Sequence, residues 1–304
     1  MLRDGQTGDW IGTWTGHKGA VWSCRVDPTG SLAATAGGDF CVKVFDAIVG
    51  KELRSWAHGH IVKAVAFAPL SDDAKSTPWL ATGGHEGLVR LYDLTPSSDT
   101  TVGQDEPLVH IPQSPLAGST KKVVITKLLW FTPTRLWVGC SDGTLRLWDI
   151  PAADGTTPPQ PTLVQTIQVG TEEIRDMELR TGLPPDNSTR LTVAADKAVS
   201  FYQFYENDTA EPWKEVKRIE MPVHFHEEGG VSLHPAGHVF AVGGSTLWVY
   251  VFDYETGKEL DCLKGHHGPI RCVRYMEPDG NLFASGSEDG TIRLWKNTFD
   301  VPSS

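Results

Sequence analysis

Apolar positions along this chain fall in short runs rather than at helical spacing. "AVWSCRV" (20–26), "SLAATAG" (31–37) and "CVKVF" (41–45) either alternate or run apolar, and Gly, Pro and Asp bound them. Such segments, rich in Val, Leu, Trp and Thr, read as strands. Inner ones such as "LWVG" (136–139) are almost wholly apolar, the pattern of a strand covered on both faces. After each closing aromatic-Asp comes one more strand: "KELRSWA" (51–57), "EPLVHIP" (106–112), "PTLVQTI" (161–167), "WKEVKRI" (213–219) and "GKELDCL" (257–263). The pattern predicts an all-β chain built of four-stranded units, with no helix of useful length.

The units repeat. "GHKGAVWSCRVDPTGSLAATAGGDFCVKVFD" (16–46) and "GHHGPIRCVRYMEPDGNLFASGSEDGTIRLWK" (265–296) share a Gly-His, an apolar strand, a Pro-containing turn, a second strand, an Asp-bearing turn and a third strand ending aromatic. Weaker copies give repeats at approximately 16–56, 57–112, 117–167, 171–219, 224–263 and 265–296 in one domain, 1–304. Closing Asp positions lie 47 residues apart from Asp46 to Asp93 and 56 from Asp93 to Asp149, which brackets the spacing of propeller blades. Residues 9–14 read as an orphan fourth strand, and the last unit has three strands before "NTFDVPSS". One strand, five units of four and a final three make 24.

With "WD" present at Trp148-Asp149 and "GH" at Gly16-His17 and Gly265-His266, the chain resembles the WD40 repeat family over essentially its whole length. That resemblance implies a β-propeller, seven-bladed in the family. It also implies a buried network of turn Asp, Gly-His His, second-strand Ser or Thr, and third-strand Trp. The last unit matches all four as Asp289, His266, Ser285 and Trp295. The first has Asp39, His17 and Thr35 with Phe45 for Trp, and the third has Ser119 in place of His. A buried imidazole needs partners on both nitrogens, so these residues are structural.

One branch of the family is a closer match, on "LRDGQTGDWIGTWTGHKGAVW", "HIVKAVAF", "LHPAGHVFAVGG", "YETGKEL" and residues 265–296. This resemblance implies a non-catalytic scaffold in assembly of spliceosomal ribonucleoproteins with the survival-of-motor-neuron complex, and in signalling with kinase receptors or inhibitory Smads. It implies a protein of cytoplasm and nucleus. Against that branch the chain encodes about six blades, the first incomplete, and Met1 reads as an internal methionine taken as a start. Either residues 9–14 pair with 291–296 and close a ring, with Trp10 or Trp14 packed on the last unit, or a gap remains. Closure is the favoured expectation because it removes an exposed strand edge.

Composition narrows the function. The 304 residues are 39% hydrophobic and 21% charged, as in globular proteins, and neither a leader-like start nor a run long enough to span a bilayer is seen. Cys24, Cys41, Cys140, Cys262 and Cys272 form no CxxC pair, which fits a reducing compartment. Sequons at Asn187 and Asn207 then read as loop chemistry. A net charge of −11 and a pI near 5.4 oppose direct binding to a phosphate backbone. Lys121, Lys122 and Lys127 are the one basic cluster. A direct RNA-binding propeller is the alternative reading, with RNA contact otherwise indirect and DNA excluded.

No nucleophile elbow, phosphate loop or dinucleotide fingerprint occurs, so neither an enzyme nor a cofactor is expected. "HFHEE" (224–228) puts His224 and His226 on one face of an extended segment. Two imidazoles can start a metal site, but the sequence identifies no third ligand, and the expectation is no metal. Insertions at 69–78, 95–106, 151–160, 181–189 and 205–212 all fall on one face of an antiparallel blade array. The opposite face keeps the tight turns 83–87, 140–143 and 286–290, a pre-organised surface. Glu86, Asp142 and Glu288 on that face are the expected partner-binding residues.

Overall fold

The computed structural model describes residues 1–70, 78–95, 106–152, 157–208, 210–226 and 229–299. Among these residues every regular element is a strand. A hairpin of β1 (Leu2–Arg3) and β2 (Trp10–Gly12) comes first. Five antiparallel four-stranded sheets follow. They are β3 (Val21–Val26), β4 (Leu32–Gly37), β5 (Cys41–Asp46) and β6 (Glu52–Ala57); then β7 (Val62–Phe67), β8 (Trp79–Gly84), β9 (Leu88–Asp93) and β10 (Val109–Pro112). The third holds β11 (Ile125–Thr132), β12 (Arg135–Cys140), β13 (Thr144–Asp149) and β14 (Thr162–Gln168). The fourth holds β15 (Asp176–Leu183), β16 (Ser188–Ala195), β17 (Ala198–Phe204) and β18 (Trp213–Glu220). The fifth holds β19 (Gly230–Leu233), β20 (Val239–Gly243), β21 (Trp248–Asp253) and β22 (Glu259–Lys264). A three-stranded sheet of β23 (Ile270–Tyr275), β24 (Leu282–Ser287) and β25 (Ile292–Lys296) ends the series.

Each sheet is a meander in which the chain moves to the neighbouring strand at every turn. Second strands such as β8 and β20 are buried at every position, while fourth strands such as β18 and β22 are largely exposed. The repeat extends to its irregularities. A register shift precedes the closing aromatic at Val44/Phe45, Leu147/Trp148, Phe201/Tyr202 and Val251/Phe252, the position where a bulge bends the strand.

The chain divides into two compact units. One contains Met1–Arg3 and Trp10–Gln168, and the other contains Asp4–Asp9 and the chain from Val169 on. In the first, Ala34, Val42, Leu80 and Tyr92 fill one core cluster, and Trp79, Leu91, Ile125 and Leu136 fill another. In the second, Phe201, Phe225, Phe240 and Val231 form one cluster and Val251, Ile270, Tyr275 and Phe283 the next. Each fully buried side chain of this size stabilises by about 1.5–3 kcal/mol.

Residues 9–14 do not supply the missing strand of the last sheet. β2 pairs with β1, and β25 pairs with β24 in a sheet of three. Trp14 stacks on Phe45 at 6.1 Å and 15°, and Trp10 donates through Nε1 to Thr13 Oγ1 at 3.3 Å. The hairpin forms because Asp4 closes it, accepting the amides of Gln6 and Thr7 at 2.9 and 2.8 Å. A local turn thus captures the strand that the edge of the last sheet was expected to take. Of the five insertions, 69–78, 95–106, 151–160 and 205–212 lie in whole or part outside the described residues, as do Glu227 and Glu228.

Candidate interaction face

The tight-turn side of the blades is organised by acidic residues that catch the incoming chain. In the first blade Asp39 accepts the Lys18 amide at 2.7 Å, His17 Nδ1 lies 2.9 Å from Asp39 Oδ1, and His17 Nε2 lies 2.7 Å from Thr35 Oγ1. In the last, Asp289 accepts the His267 amide at 2.8 Å. His266 Nδ1 lies 3.1 Å from Asp289 and its Nε2 lies 2.7 Å from Ser285 Oγ, to which Trp295 Nε1 also donates at 2.7 Å. Both imidazoles are therefore satisfied on both nitrogens. The Thr291 hydroxyl and the His267 amide hold the Asp289 carboxyl well below the usual carboxylate range. Burial works against ionisation of Asp39, but the Lys18 amide and His17 outweigh it and its pKa is lowered.

The second blade carries a third network that sequence reading missed. Glu86 accepts the Gly59 amide at 2.9 Å, faces His58 Nδ1 at 3.3 Å and binds both ways to Arg90 at 2.8 and 2.9 Å. His58 Nε2 lies 3.4 Å from Thr82 Oγ1. His58 follows Ala57 rather than a glycine, and the insertion before β8 stretched the spacing from His58 to Thr82. In the third blade no histidine is involved. Arg146, buried, donates to Asp142 at 2.8 Å and to the Ser114 carbonyl at 2.7 Å. Register explains the division: Thr35, Thr82 and Ser285 occupy the strand position filled by Val138, Val193 and Val242 in the other three blades.

Glu86 and Asp142 thus spend their charge within their own blades, on Arg90 and Arg146. Glu288 forms an ion pair with Arg271, both half-exposed. What the same side presents outward in the first two blades is aromatic. Phe40 packs on His60 at 5.4 Å, and His60 stacks on His85 at 4.9 Å and 13°. Trp22, 45% exposed, has Lys63 Nζ 5.8 Å from its ring.

Phe40 is 42% exposed and holds φ at 65°. The equivalent turn position is Gly87, Gly143 and Gly290 in three other blades, at φ 70°, 74° and 79°. A left-handed φ is open to glycine and costs a bulky residue on the order of 1–3 kcal/mol. The clue was available in sequence as "GGDFC" set against "HEGL", "SDGT" and "EDGT".

This architecture and these networks define a WD40-repeat β-propeller protein. A family model described as "WD domain, G-beta repeat" matches residues 8–46, 112–149 and 257–296. The chain is 39% identical over 299 residues to the serine-threonine kinase receptor-associated protein of Gallus gallus, covering 98% of this chain and 73% of that one. It is 36% identical over 296 residues to the protein of the same name from Dictyostelium discoideum, covering 97% and 86%. The chain belongs to the family of serine-threonine kinase receptor-associated proteins. The β-propeller domain of Myceliophteria thermophila Cps50 (Swd1) superposes with a TM-score of 0.75 over 97% of this chain and 90% of that one. At 17% identity that likeness speaks for the fold alone.

Proposed function

We propose that this protein is a non-catalytic interaction scaffold whose ridge of Trp22, Phe40, His60 and His85 receives a protein partner. The observation that carries the reading is Phe40. It keeps a large apolar side chain in water on a backbone that prefers glycine, which gives the fold nothing and gives a partner a rigid aromatic contact. The resemblance to the receptor-associated family supports partners among ribonucleoprotein-assembly proteins, including the survival-of-motor-neuron complex, and among kinase receptors and inhibitory Smads. It supports work in both cytoplasm and nucleus. Contact with RNA is then indirect, in keeping with the net charge of −11.

Affinity capture with the tagged parent and with Phe40→Gly, each with and without ribonuclease, tests this. The parent is expected to recover ribonucleoprotein-assembly proteins regardless of ribonuclease, and Phe40→Gly at least tenfold less while melting at or above the parent temperature. Equal capture by both would move the binding face elsewhere. Capture that ribonuclease abolishes would favour a propeller that binds RNA directly.

A further inference from the structure

We propose a divalent-metal site of the zinc type at Glu172, His224 and His226. Sequence reading found two imidazoles and no third ligand; the fold supplies it from 52 positions upstream of His224. One ligand atom from each of the three residues lies within 4.8 Å of the other two. Around a tetrahedral zinc ion with bonds near 2.1 Å, donor atoms sit about 3.4 Å apart, so side-chain rotation closes the difference. Two imidazoles and one carboxylate suit zinc over calcium or magnesium, which take oxygen ligands. Three protein ligands leave a fourth position for water or a donor from outside.

The ligands stand on a frame. Asp196 holds both halves of the site: its carboxylate accepts the amides of Thr171 at 3.0 Å and Glu172 at 2.9 Å, and its carbonyl accepts the Phe225 amide at 2.8 Å. The Phe225 ring, fully buried between the two histidines in sequence, pins that segment to the core, with His224 half-buried and His226 exposed beside it. Arg175 donates through Nε to the Phe225 carbonyl at 2.9 Å and through a terminal nitrogen to the His226 carbonyl. Its charge is offset by Glu173 at 2.8 Å. Such outer contacts are what hold metal ligands in position.

A second observation points the same way. His224 Nδ1 is closed off from solvent and makes no hydrogen bond, an uncommon state for a buried ring nitrogen. His226 Nδ1 and Glu172 Oε2 meanwhile lie 3.2 Å apart, a pair that holds the ligands together and gives up any shared proton when a cation enters.

The test uses the full chain stripped with chelator, Co²⁺ as a visible-absorbing probe, and Zn²⁺ by calorimetry. One equivalent of Co²⁺ is expected to bind with d–d bands, and Zn²⁺ to displace it. Glu172→Gln, His224→Ala and His226→Ala should each weaken binding more than tenfold while His110→Ala, at an exposed position of β10, leaves it unchanged. Glu172 and His226 are solvent-accessible, so their variants keep the test open if His224→Ala misfolds. Failure to take up Co²⁺, uptake that Glu172→Gln and His226→Ala leave unchanged, or uptake lost with His110→Ala would overturn the site.

Discussion

His266 shows what a single side chain does in this fold. It is buried, and it is the shared partner of Asp289 and Ser285. Replacing it with alanine leaves both without that partner, at roughly 1–3 kcal/mol. His266→Ala should therefore lower the melting temperature clearly, whereas Lys258→Ala, on the surface, should not; equal shifts would show that the network contributes nothing to stability. His266 was legible from sequence because Gly-His, the turn Asp and the second-strand Ser stand at their usual separations. His58 was not. Its network has Glu86 for Asp, Tyr92 for Trp and an insertion between its parts, so the substitutions and the spacing concealed it together. Phe40 escaped because its signal is a missing glycine, seen only when the turns of the repeats are set side by side and not in any pattern of polarity.

Among elements, first strands do more than line up. β15 carries Asp176 and Glu178, both buried, and each reaches beyond its own sheet. Asp176 binds Arg274 of β23 at 2.6 and 2.7 Å and accepts the Val231 amide of β19 at 2.9 Å. Glu178 accepts from Ser232 Oγ and the Leu233 amide, each at 2.7 Å, and from Arg180 at 3.1 Å. Three successive blades are tied by carboxylates on one strand. Asp176→Ala strips Arg274 of its counter-charge and Val231 of its acceptor, at on the order of 3 kcal/mol; a denaturation midpoint unchanged from the parent would refute the tie. The strands themselves were readable from period and turn residues. Their cross-blade pairing was not, since Asp176 and Arg274 are separated by 98 positions and a lone acid in a strand carries no sign of its partner. β1 was missed for another reason: two residues are too few to show a period.

For the whole molecule, the fold alters how charge titrates. Burial, with His238 and Arg180 nearby, pushes the His234 imidazole down to about 4. Burial and Arg90 lower His58, and burial lowers His238. In the unfolded chain such groups titrate near 6.5 and are mostly cationic at the sequence pI near 5.4. In the folded chain His234 and His58, the latter also lowered to about 4, are neutral there, so positive charge is lost on folding. Asp39, Asp253, Asp289 and Glu86 have lowered values and stay ionised, acting in the same sense, while burial raises Glu178, which acts against them. The native protein should focus at a more acidic pH than the same protein in urea. A native band at or above the urea band would contradict the burial of these imidazoles.

The turn at Phe40 has a consequence for engineering. Redesign by averaging repeats replaces each residue with the one its sister units share, and it commonly raises stability. Applied here it would write glycine at position 40, following Gly87, Gly143 and Gly290. The product would be harder to melt and blind to whatever the first blade recognises. What the repeats hold in common keeps the chain folded, and at Phe40 a turn departs from it at a cost in backbone strain.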